Sequence, residues 1–233
     1  MDIGKSFTYV FEDPKWVSKV LIGGGILFAG LILVWLLAIP LLLAGMVLLG
    51  YAVTTIRNVA DGNPMPLPEW SDFGGLFMKG LYGMIGSIVF YIPVILLACC
   101  AWVVGAIPSM SKDLKNLQDT IGIVAICLNC IQGLLSLVFG VVYPAALIRY
   151  AMTNNQMSVF WDFGGTLNLI TKNLGNYVIA LLVAWVAGMI GMFGIILCGI
   201  GLPFTLFWSN LVGSFLYGQF WRTSQGQGVV PVA

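Results

Sequence analysis

The most reactive side chains in this sequence are thiols. Cys127 and Cys130 stand in Cys-x-x-Cys spacing, and Cys99, Cys100 and Cys198 complete the set. At a helix N-terminus such spacing lowers a thiol pKa and supports dithiol exchange, and several thiolates together hold soft metal ions. Here the pair lies in an apolar run with no basic side chain beside it, so the plainer expectation is buried, inert thiols. The chain contains no histidine. That removes the usual haem or pigment ligand, the commonest zinc ligand and the common proton shuttle near neutral pH. A nucleophile activated by histidine and a phosphate-cradling Gly-Lys-Ser/Thr run are both missing. We therefore expect a protein that is not an enzyme and carries no metal or cofactor, bound lipids apart.

Amides are the other polar groups at depth. Asn129 and Gln132 are one helical turn apart, and Asn210 follows Ser209 inside a later apolar run. An unsatisfied amide in hydrocarbon is costly, so these side chains should bond across helices or line a polar pocket. Such interhelical bonds average only about 0.6 kcal/mol.

The elements that must position these groups are set by charge-free stretches at 20–56, 80–111, 120–148 and 173–221. A bilayer core of about 30 Å needs roughly 20 apolar residues, so each stretch allows one or two crossings. The chain is 60% hydrophobic and 8% charged, with a mean hydropathy of +1.00, which leaves no room for a large water-facing domain. A net charge of +1 argues against a nucleic-acid partner. The start, Met1-Asp2-Ile3-Gly4-Lys5, lacks the order of a cleaved signal, so the run from Val20 should persist as a spanning helix.

Two echoes recur in the same order. Trp70-Ser71-Asp72-Phe73-Gly74-Gly75 returns as Trp161-Asp162-Phe163-Gly164-Gly165. Upstream, the Tyr51…Arg57 segment returns as Tyr143…Arg149, and more loosely as Tyr217…Arg222. The fold class expected is all-α: one integral membrane domain over 1–233, with six transmembrane helices as three repeated hairpins. Short amphipathic interfacial helices at 3–11, 73–81 and 163–174 lead into the hairpins. The repeat units run about 1–61, 70–150 and 160–222, with 223–233 as a loose tail. Helices are expected near 17–38, 40–57, 80–106, 120–149, 175–199 and 203–222, the fourth kinked by Pro144. Pro40 and Gly201-Leu202-Pro203 mark two tight turns, and 109–119 a longer polar one.

Lys5, Lys15, Lys19, Arg57, Lys79, Arg149, Lys172 and Arg222 fall on the side shared by both termini. Lys112 and Lys115, offset by Asp113 and Asp119, fall on the other. By the positive-inside rule both termini are cytoplasmic and the protein is a multi-pass one of the inner membrane. Ala180, Ala184 and Gly188, and likewise Gly80, Gly83 and Gly86, are spaced for close helix packing. Asn63-Pro64-Met65-Pro66-Leu67-Pro68-Glu69-Trp70 should be extended as polyproline II, either a stiff cytoplasmic strap or a docking strip.

Arg57-Asn58-Val59-Ala60-Asp61-Gly62, followed by Pro66-Leu67-Pro68-Glu69-Trp70-Ser71-Asp72, resembles the bacterial and archaeal membrane family known as domain of unknown function four-zero-one-three. Residues 7–16 fit the same resemblance, which implies a fold and no activity. The lead-in-plus-hairpin plan is also similar to the membrane domains of some glycerophosphodiesterases, from which no catalytic residue carries over. The functional expectation is a structural or accessory component among membrane lipids and other membrane subunits. The alternative is a carrier or channel for a neutral or lipidic solute, its path lined by Asn129, Gln132 and Asn210. Three hairpins of equal orientation differ from the inverted pair common in alternating access.

Overall fold

The computed structural model describes residues 1–110, 118–197 and 199–226, and all regular structure among them is helical. Among the described residues nine α-helices follow in order: α1 (Ile3–Glu12), α2 (Trp16–Ile32), α3 (Ile39–Ala60), α4 (Phe73–Phe90), α5 (Ile92–Met110), α6 (Gln118–Met152), α7 (Phe163–Lys172), α8 (Leu174–Met192) and α9 (Leu202–Ser224). Lys112, Asp113 and Lys115, Cys198 and residues 227–233 lie outside the described residues, as does the side chain of Asp119.

By length and composition, 39–60, 70–90, 120–152 and 174–196 are apolar enough to cross a membrane. The pair α1 and α2, bent by 98°, makes a fifth candidate if it acts as one span. These helices suggest a multi-pass membrane protein. Six spans are more than this test supports, because α5 counts in it only over Ile92–Ala106 and α9 is less apolar.

Local chemistry explains several boundaries. Pro40 and Pro203 occupy first-turn positions of α3 and α9, where a missing N–H costs nothing. Arg57, Arg149 and Arg222 sit in the last turns of α3, α6 and α9, facing the negative ends of the helix dipoles. The single helix expected over 80–106 is instead two, broken at Tyr91. Pro93 has no N–H for the Val89 carbonyl and disfavours helical geometry at Ile92. The expected lead-in segment at 73–81 is not separate either; it forms the first turns of α4. At the first and third positions, α1 and α7 are distinct helices.

The chain forms two compact units. In the unit of 1–86 and 144–233, α9 packs against α1, α2, α3 and α8, with Phe207, Leu211, Val212, Phe215, Leu216 and Phe220 buried. A helix covered by protein on several sides need not be uniformly apolar; α9 accordingly carries buried Ser209, Ser214 and Gln219. In the unit of 87–143, Phe90, Tyr91, Phe139 and Tyr143 form an aromatic cluster, and the Ser87 and Tyr143 hydroxyls lie 2.7 Å apart. Many of the other described residues of this unit are exposed, with Trp102 and Leu134 prominent.

Candidate functional site

The densest polar constellation is built around the proline-rich segment before α4. The segment is bent at Pro64, Met65 and Leu67 where an extended polyproline II run was expected. Backbone outside a helix must find partners for its carbonyls elsewhere. Three successive ones are met by side chains from two helices. Asn58 Nδ2 of α3 donates to the Pro66 carbonyl (2.8 Å), Lys19 Nζ of α2 to Leu67 (2.9 Å), and Tyr51 Oη of α3 to Pro68 (3.0 Å). Leu67 is buried beneath, and Tyr51 stacks on Trp70 with ring centroids 4.5 Å apart. The Trp70 indole N–H donates to the Lys19 carbonyl at 3.2 Å.

Lys19 is the hub. Its ammonium, 4% exposed, bonds Asp13 at 2.7 Å and Glu69 at 3.1 Å besides the Leu67 carbonyl. Three donors thus meet three acceptors, the condition under which a buried ammonium is tolerated. Asp13, 5% exposed, also accepts from the Lys15 backbone N–H at 2.8 Å, so it fixes the corner between α1 and α2. The hydrogen bond from Lys19 is the main influence holding the Glu69 carboxyl below the ordinary glutamate range, with Lys15 adding to it. A cleft of about 210 Å³ opens between this corner and the strap, lined by Tyr9, Glu12, Asp13, Pro14, Pro64, Met65 and Pro66. These contacts hold the segment against α2 and α3.

The echoed Trp-Asp-Phe-Gly-Gly elements are helix caps. Asp72 Oδ1 accepts from the Gly75 N–H at 3.0 Å, and Asp162 Oδ1 from that of Gly165 at 2.9 Å. A Cβ at Gly75 or Gly165 would fall on the second carboxylate oxygen. The same chemistry occurs at Asp2, which accepts from Lys5 N–H at 3.0 Å, so Asp-apolar-Gly at 2–4, 72–74 and 162–164 was a legible signal missed in the sequence. At the third cap Arg149 joins in. It bonds the Asp162 carboxylate (2.6 Å) and carbonyl (2.9 Å) and the Thr166 hydroxyl (3.0 Å).

The Gly165 N–H and the Arg149 guanidinium hold the Asp162 carboxyl below the ordinary aspartate range. A depressed folded-state pKa means stabilisation that is complete above the ordinary range and lost as pH falls through the depressed value. Protection of the Gly165 amide against hydrogen exchange, corrected for intrinsic rate, should therefore drop below about pH 4. In Asp162→Asn, which keeps an acceptor but no charge, that step should be absent.

The remaining expected residues have diverse surroundings. Arg57 pairs loosely with Asp61 on its own helix (3.8 Å), whereas Arg222 donates to the Ala60 carbonyl at the end of α3 (3.3 Å). Tyr143 is in the aromatic cluster, Tyr217 is half-buried near Gly213, and Trp161 is exposed. Asn129 is exposed and donates to Ala125 within its own helix (2.7 Å); Gln132 is half-buried; Asn210 is exposed on α9. Asn129 and Gln132 belong to the unit 87–143, Asn210 to the other. On α8, Ala180 is buried and Ala184 faces Gly213 of α9, but a Cβ at Gly188 would meet open space. The packed face runs through Ala187 and Gly191 instead, the latter against Thr205 and Ser209. Cys99, Cys100, Cys127 and Cys130 are free and exposed on helix surfaces, not buried as expected. Among the described residues no three Cys, Asp or Glu side chains gather where a metal ion could be held.

These features belong to an all-helical protein whose long apolar helices are tied together at their charged ends. Residues 19–200 match the family described as Protein of unknown function (DUF4013), and the chain belongs to that family. The matched region starts at Lys19 and contains the whole strap; residues 7–16 lie before it. No curated protein and no solved structure matches the chain.

Proposed function

We propose that the protein is a non-enzymatic, multi-pass component of the cytoplasmic membrane, with both termini inside the cell, serving as a structural or accessory partner in a larger membrane assembly. One observation carries this reading. The most apolar window of 120–152 has 0% of its residues buried inside the chain, against 44% for α3. Exposed side chains such as Leu134 on α6, and Trp102 on α5, are therefore available for lateral contact in the bilayer. The arginines in the last turns of α3, α6 and α9 support the orientation. A stoichiometric membrane partner should co-purify in mild detergent and be lost on Leu134→Asp. Recovery of the wild type with lipid alone would refute the assembly role.

A second reading, a carrier of a neutral or lipidic solute, is favoured by a groove of about 520 Å³ in the unit 87–143. Its lining is Ala98, Ala101, Trp102, Gly105, Ala106 and Asn129. Solute or lipid flux in reconstituted vesicles, abolished by Asn129→Leu, would support it against the first.

A further inference from the structure

The turn joining α2 to α3 and the one following α8 have the wrong chemistry for water. Residues 33–39 read Leu-Val-Trp-Leu-Leu-Ala-Ile, with Trp35 73% and Leu37 86% exposed. Residues 193–197 read Phe-Gly-Ile-Ile-Leu, with Phe193, Ile196 and Leu197 each about two-thirds exposed or more. Turns that reach solvent are normally polar. Here Leu37 and Ala38 adopt left-handed backbone (φ 54° and 58°), where Gly or Asn would be at ease. Part of the turn backbone closes on itself: Ala38 N–H donates to Val34, Ile39 to Leu36, and Gly199 to Ile195. Such local closure lowers the cost of placing a turn in hydrocarbon.

Helix length says where these tips lie. From Arg57 to Ile39 is about 27 Å along α3, and from Arg222 to Leu202 about 30 Å along α9. Measured from the arginine ends, both tips therefore stop near the far boundary of a hydrocarbon core of about 30 Å. We propose that 33–39 and 193–197 lodge among the acyl chains and headgroup boundary of the leaflet opposite the arginines, so that neither tip surfaces into water there. Lipid fits better than a protein partner, because a protein interface carries a polar rim and hydrogen bonds. The tip 33–39 offers one side-chain polar atom, the indole N–H of Trp35, which suits a membrane interface.

This inference rests on the membrane reading above. It is tested in lipid vesicles at high dilution, with the five native cysteines replaced by alanine. Spin labels are placed at Leu37→Cys or Ile196→Cys, and at Leu134→Cys on α6 as the control for membrane embedding. Oxygen-accessible and nickel-chelate-excluded labels at 37 and 196, matching the control, are the expected result. Nickel access at 37 and 196 with the control still excluded would overturn the tip assignment alone. Exclusion of both reagents would overturn it in favour of a second copy. Nickel access at all three positions would overturn the membrane reading itself. A second variant gives an independent readout: Leu37→Asn relieves the left-handed backbone, so it should raise the melting temperature of a water-exposed turn. A submerged turn predicts a lower one, and a rise would overturn the proposal.

Discussion

Lys19→Met should destabilise the protein by about 3–5 kcal/mol, the magnitude associated with removing one partner of a buried ion pair. The substitution keeps most of the aliphatic volume, so the loss is electrostatic. Asp13 would remain 5% exposed without its counter-ion, and the Leu67 carbonyl would lose its donor. Of the side-chain bonds to strap carbonyls only those from Tyr51 and Asn58 would remain, while Glu69, already half-exposed, would turn to solvent. Thermal unfolding in detergent measures the first effect. Limited proteolysis between Asn63 and Glu69 measures the second, and cleavage should appear well below the unfolding temperature. The double variant Lys19→Met with Asp13→Leu should recover much of the stability, because replacing both members of a buried pair by apolar groups is often neutral or better. It should not restore protection of the strap, because the Leu67 carbonyl still lacks its donor. A single-variant loss below about 1 kcal/mol would mean that the pair is solvated like a surface bridge.

Lys19 also shows where a sequence stops being informative. Read along the chain, it is one of several cations flanking an apolar run, indistinguishable from Lys15 or Lys79 as a topological marker. Its burial depends on Asp13, six positions away, on Leu67, forty-eight away, and on Glu69 beyond that. No periodicity announces such a convergence. That the proline-dense segment lies outside the helices was legible, but its bends at Pro64, Met65 and Leu67, where an extended run was expected, were not. The Asp72 and Asp162 caps were visible as a repeated word, although their role as caps needed the backbone geometry.

Hydropathy placed α9 almost where it lies, at 203–222 against Leu202–Ser224, but did not show that protein covers it on several sides. The helix α9 is central and comparatively polar; α1, expected at the membrane interface, places Tyr9 and Val10 in the core and bonds the Leu211 carbonyl through the Tyr9 hydroxyl at 2.8 Å. The break at Tyr91 was implicit in Pro93, yet a long charge-free run masked it. Within the described residues the echoed units also diverge in contact. Arg149 clamps the cap of α7, whereas Arg57 pairs with Asp61 and leaves Asp72 to the backbone alone. The same residue types at equivalent places do different work once the intervening strap is inserted.

The other large effect is expected where two backbones touch. A Cβ on Gly80 of α4 would fall on the Met46 carbonyl of α3, and one on Gly50 of α3 would fall on the Leu76 carbonyl of α4. The obstacle in both cases is main chain, which cannot rotate away as a side-chain tip can. Gly80→Ala should therefore force the helices apart and cost about 3 kcal/mol, the upper part of the range for overpacking. The displacement would reach further, because Tyr150 donates to the Lys79 carbonyl at 2.7 Å and Leu76 is buried one turn away. Gly50→Ala should cost a similar amount. The double variant should cost clearly less than the sum, since one separation of the crossing accommodates both methyl groups. Gly74→Ala is the internal control: a Cβ there meets open space, so alanine should gain up to about 1 kcal/mol of helix propensity. Thermal unfolding of the four variants under identical detergent conditions separates these outcomes. Additive losses at Gly50 and Gly80 would mean that the two glycines serve separate contacts, and a loss at Gly74 as large as at Gly80 would mean that helix content, not the crossing, limits stability.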